Sequence, residues 1–140
     1  MTAESYFEWV RDCARDADAV RERLAQGHQP RRSSPLVAAH GTGADPMAWV
    51  DAAIDRDNQL SKQLAGLDAI VSGARQVVAR VADGLGLLAA LALELYYIER
   101  NTWDDIALEL HVSISTVYRM RRNALAWVDM GGYVVNVGRC

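Results

Sequence analysis

Thr102-Trp103-Asp104-Asp105-Ile106-Ala107-Leu108-Glu109-Leu110-His111-Val112-Ser113-Ile114-Ser115-Thr116-Val117-Tyr118-Arg119-Met120 is the stretch that decides the fold. Its residues suit two short helices joined by a tight turn. Thr102 is placed to accept a hydrogen bond from the first-turn N–H groups, and Asp104 and Asp105 favour the positive end of a helix. Ile106 and Leu110 are four apart and share an inward face, while Ala107 is small enough to let two helices cross closely. His111 falls at the turn, where a left-handed backbone is usually supplied by Gly, although His, Asn and Asp enter that region more readily than most residues. Val112 then plugs the core, Ser113 caps the second helix, and Val117 and Met120 anchor it. The spacing predicts a helix–turn–helix within an all-α fold.

With those residues inward, the outer face of the second helix carries Ile114, Ser115, Tyr118, Arg119 and Arg122, with Thr116 and Arg121 at its flanks. The whole chain holds 15 Lys+Arg against 18 Asp+Glu, a net charge of -3, so contact with nucleic acid has to use a local patch. From Ser113 to Val128 there are three arginines and no acid, which puts positive charge where a helix entering the major groove needs it. Double-stranded DNA is the expected partner, with 113–127 as the recognition helix. The candidate contacts are Ser113, Ile114, Ser115, Thr116, Tyr118, Arg119, Arg121 and Arg122. Against this stands a helical core that touches only protein, with the arginines as a solvated face. Tyr118 either contacts DNA or covers the edge of the domain. Trp103 and Trp127 read as core residues, and His111 as a turn residue.

Upstream, Tyr6, Val10, Cys13, Ala17, Val20 and Leu24 alternate at spacings of four and three, which predicts an amphipathic helix over 4–26. Residues 27–46 hold all three prolines, Pro30, Pro35 and Pro46, and read as a linker. Asp45-Pro46 suits the start of a long helix over 47–82. Its seam, Val50, Ala53, Asp57, Leu60, Leu64, Leu67, Val71, Ala74, Val78 and Val81, fills every a and d position of a heptad repeat. That seam packs either on the first helix of its own chain or on another subunit, and a homodimer or higher homo-oligomer is the expected assembly. Gly66 and Gly73 weaken the helix, leaving Ser72-Gly73 open to a break, and Asp83-Gly84 is expected to interrupt it. Leu85 to Ile98 is apolar nearly all round and calls for enclosure by neighbours. Met130 to Val137 suits a short strand or an ordered tail. The chain thus divides into a helical hairpin or coiled-coil arm, 1–83, and a DNA-binding domain, 84–140.

At 140 residues there is room for one domain, or one small domain with an oligomerisation arm. Cys13 and Cys140 lie far apart without metal-ligand spacing, which suits reduced thiols in the cytoplasm. The first ten residues carry acids where a signal peptide would be basic and apolar, and no run is long enough to cross a bilayer. No Gly-rich phosphate loop, carboxylate–His cluster or activated nucleophile is present, so neither an enzyme nor a cofactor or metal site is expected.

Residues 91–128 resemble region four of bacterial primary sigma factors, matching that motif at Thr102, Ile106, Ala107, Leu110, Val112, Ser113 and Val117 and continuing through Met120, Ala124 and Leu125. The departure is His111 for the turn Gly; Ile114, Ser115 and Arg119 also differ from the family's charged recognition residues, so its promoter element does not carry over. The wider layout, with Gly43-Ala44-Asp45-Pro46 and Leu95-Tyr96-Tyr97-Ile98-Glu99, resembles small phage-encoded regulators of the RinA and ArpU type. That resemblance implies control of late or packaging genes in a phage or prophage. The alternatives are a small terminase-like packaging component, although such proteins usually carry the DNA-binding motif first, and a sigma-like adaptor that binds RNA polymerase and uses the motif only as scaffold.

Overall fold

The computed structural model describes residues 1–27 and 48–133, which form an all-α fold. Five helices follow one another among them: α1 (Ala3–Gly27), α2 (Ala48–Leu85), α3 (Leu87–Leu93), α4 (Trp103–Leu110) and α5 (Ile114–Gly131). Helix α3 runs directly into a π-helical segment, Glu94–Ile98. The expected helix start at Asp45-Pro46 and residues 134–137 of the expected strand lie outside the described residues. Met130 and Gly131 belong to the last turn of α5, not to a strand.

Helix α2 is unbroken for 38 residues, about 57 Å at ~1.5 Å per residue. It runs through Ser72-Gly73 without a break. Each glycine costs the helix about 1 kcal/mol, but Ala74, Val77, Val78 and Val81 directly beyond are buried and hold it. Asp83-Gly84 does not end the helix either. The end comes at Gly86, whose φ of 107° is a conformation that residues with a Cβ seldom adopt. Gly84 serves packing instead, because a Cβ there would lie 2.2 Å from Cζ2 of Trp127 and the bare backbone lets that indole lie against α2.

Arg21 of α1 pairs with Asp68 of α2, while Tyr6, Phe7 and Val10 share a core with Val77, Val78 and Val81, so α1 and α2 run antiparallel. Of the two packings open to the heptad seam, the structure has the one within the chain: its part from Val71 to Val81 lies in or against the core that α1 helps to build. The same core takes in Ala90, Leu93, Tyr97 and Ile98 and then Ala124, Leu125 and Val128 of α5. It therefore crosses the boundary expected between 83 and 84. Further ties join α1 to α5: the Ala3 N–H donates to Asp129 Oδ1 at 2.7 Å, and Arg121 bonds to Glu4.

The apolar segment from Leu85 is less enclosed than its composition suggests. Leu85, Leu87 and Leu88 are 42%, 66% and 49% exposed. The residues buried are Ala90, Ala92, Leu93, Tyr97 and Ile98. The π turn, in which the Glu99 N–H donates to Glu94 O at 3.0 Å, widens the helix where Tyr96 and Tyr97 face different neighbours. It is followed by Arg100 at φ 59°, a left-handed non-glycine residue that reaches back to Asp18 of α1.

Candidate nucleic-acid interface

The segment 102–120 folds as its local chemistry dictates. Thr102 Oγ1 accepts from the Asp105 N–H at 3.2 Å and caps α4. The helix ends at His111, φ 57° and ψ 43°, in the left-handed region. There the Val112 N–H donates to Ala107 O at 3.0 Å and the His111 N–H to Leu108 O at 3.3 Å, the paired closure of a Schellman motif. Ser113 Oγ then accepts from the Thr116 N–H at 3.2 Å and opens α5. Ile106, Ala107 and Val117 are buried between the two helices, flanked by Leu95, Tyr96, Trp103, Leu110, Val112 and Met120.

Of the eight expected DNA contacts, Ser113, Ile114, Ser115, Tyr118, Arg119 and Arg122 are exposed. Thr116 is half-buried, and its hydroxyl lies 2.8 Å from Ser113 Oγ, which in turn lies 3.1 Å from Ser115 Oγ, so three hydroxyls cluster at the start of α5. Among the described residues neither Arg119 nor Arg122 takes part in an ion pair. Both leave a cation free to meet an anion.

Arg121 requires correction, because it turns inward instead of flanking the recognition face. Its Nε–H donates to Tyr97 Oη at 2.9 Å and Nη2 bonds to Glu4 Oε1 at 3.0 Å, with the side chain 20% exposed. The guanidinium also lies 5.8 Å from the Trp103 ring. Desolvation works against its charge, but the hydrogen bonds and charges of Tyr97 and Glu4 outweigh that and raise its pKa. Burial pushes the Tyr97 hydroxyl up, with Arg121 pulling the other way. A phosphate would have to displace these partners to reach Arg121.

Tyr118 is 43% exposed and packs its ring on Trp103 at 5.2 Å, so it covers the domain edge and still presents surface. Trp103 stacks on Tyr96 at 3.8 Å, and Tyr96 carries the guanidinium of Arg11 at 4.5 Å. A ladder thus runs from α1 through the π segment to the recognition face. Glu4, Arg11, Tyr96 and Tyr97 were not legible as part of this site, since their partners lie far along the chain; the adjacent tyrosines ahead of Thr102 were the one visible signal.

Beside the recognition face, Leu85, Leu87, Leu88, Ala89, Met120 and Asn123 line a shallow, mostly apolar groove of about 370 Å³. Among the described residues no group of three or more His, Cys, Asp and Glu is placed to hold a metal ion, and no helix is long and apolar enough to cross a membrane. Compared with known protein families, curated proteins and solved structures, the chain has no significant match in any of the three.

Proposed function

We propose that this protein is a sequence-specific double-stranded DNA-binding regulator of transcription, with α5 entering the major groove by its N-terminal face. The carrying observation is one capped helix that exposes Ser115, Tyr118, Arg119 and Arg122 side by side, with both arginines unpaired among the described residues. Hydroxyls and arginines are the groups that read base edges and grip phosphates. The resemblance of 91–128 to sigma region four supports the reading, and a phage or prophage setting rests on resemblance alone. Selection of bound sequences from random duplex DNA tests it. A shared sequence motif, with affinity that falls as salt rises, is the expected result; failure to enrich any sequence contradicts it.

The apolar groove beside α5 favours a second reading, an adaptor that docks on RNA polymerase or a sigma factor and keeps the motif as scaffold. Exposed leucines in a concave patch suit a protein partner better than they suit phosphate. Under that reading Leu87→Asp abolishes polymerase binding while duplex DNA is not bound at any salt concentration.

A further inference from the structure

We infer that Arg121 is a positioning residue: through Tyr97 it ties the recognition helix to the π segment and through Glu4 to α1, and it sets the direction in which Tyr118 and Arg119 point. The inference rests on the DNA-binding reading above. Two residues along a helix turn the side chain by roughly 160° to the opposite side. Arg121 therefore faces inward because Arg119 faces outward, and each fixes the other.

The hold is two-pointed. Nε–H meets the hydroxyl of Tyr97, which is fully buried in the π segment, and Nη2 meets Glu4 in the first turn of α1. A planar guanidinium satisfies both only in one setting of α5 against these two elements. The Glu4 end is 60% exposed and weak by itself, so the buried hydroxyl is the anchor. The guanidinium also rests near the indole of Trp103, the ring on which Tyr118 packs. Loosening Arg121 leaves the core contacts of Val117, Ala124, Leu125 and Val128 in place while removing what fixes the rotation of the outer face. A bidentate base contact tolerates little rotation, whereas phosphate contacts tolerate more. The brace should therefore govern specificity and leave the electrostatic part of binding alone.

Two variants probe this with little risk to folding: Tyr97→Phe keeps the ring and removes the acceptor, and Arg121→Lys keeps the charge and removes the fork. Each is measured on the selected duplex and on an unselected duplex across a salt series. The expected result is that the affinity ratio between the two duplexes falls about five- to tenfold, within the reach of one bidentate base contact, in both variants. The salt slope stays unchanged. If Arg121→Ala loses affinity equally on both duplexes and flattens the slope by about 0.9 while Arg121→Lys is unaffected, Arg121 is reassigned to phosphate and the inference is overturned. No change in either variant overturns it as well. A DNA-free measurement separates the two claims: the Nε–H resonance of Arg121 should be slow to exchange in the wild type and lose that protection in Tyr97→Phe. If the wild type prefers no duplex, the DNA-binding reading fails by itself. An Arg121 resonance unaltered by Tyr97→Phe shows that the anchor on Tyr97 is absent and overturns the inference whatever DNA does.

Discussion

The segment 102–120 and the segment 85–98 are neighbours along the chain, yet one is dictated by its own residues and the other by distant ones. In the first, the caps at Thr102 and Ser113 and the left-handed turn at His111 are closed by partners within five residues. In the second, the exposed leucines at 87 and 88 and the buried pair at 97 and 98 are sorted by α1, α2 and α5, whose contacting residues lie up to about a hundred positions away. Cap and turn chemistry therefore reads locally, while the choice of buried face is a tertiary decision.

The sharpest way to break that contrast is to remove a distant partner. Phe7 is fully buried on α1 and meets Tyr97 at 5.3 Å. Phe7→Ala should cost about 3–5 kcal/mol and melt α5 together with α1 in a single transition, as followed by circular dichroism and Trp fluorescence. Two separate transitions, with 84–133 surviving loss of α1, would restore the boundary expected at 83. Gly84→Ala comes next. Its Cβ would overlap the Trp127 ring, so a loss of about 1–3 kcal/mol in denaturant unfolding is expected.

Gly73 separates propensity from packing inside one helix. A Cβ there meets nothing within 4 Å, so Gly73→Ala should raise stability by up to about 1 kcal/mol. A loss instead would mean that the outer face of α2 is occupied in the folded assembly. The smallest effect is on alkaline stability. Tyr6 and Tyr97 both have pKa values raised above 10.0, chiefly by burial. A raised pKa on a group neutral when protonated means that the folded state holds its proton more tightly. The stability this contributes is full below about pH 10 and is lost as pH rises through the folded values. Tyr97→Phe should flatten part of that loss in melting curves taken between neutral and strongly alkaline pH.

Much of the fold was legible because helices announce themselves by period: the a and d positions of α2 are its least exposed side, and the all-α class follows. The helix ends were less so. Asp83-Gly84 looks like a stop, but the space needed by Trp127, 43 residues later, is what Gly84 supplies, and the stop is the positive φ of Gly86. On α5, the exposed positions of Ser113, Ser115, Tyr118, Arg119 and Arg122 were readable from the register of one helix. Arg121 was not, because its two acceptors lie 24 and 117 residues away. The heptad pattern likewise required a partner without saying whose.

The contrast between Arg119 and Arg121, two residues apart on one helix, is also the most direct test of the central claim that α5 reads DNA. Arg119→Ala, titrated by fluorescence anisotropy against the selected duplex and an unselected one, should lose about 1–3 kcal/mol on the selected duplex and far less on the other, as removal of a base-edge contact requires. Equal affinity of Arg119→Ala and wild type for the selected duplex would contradict the account.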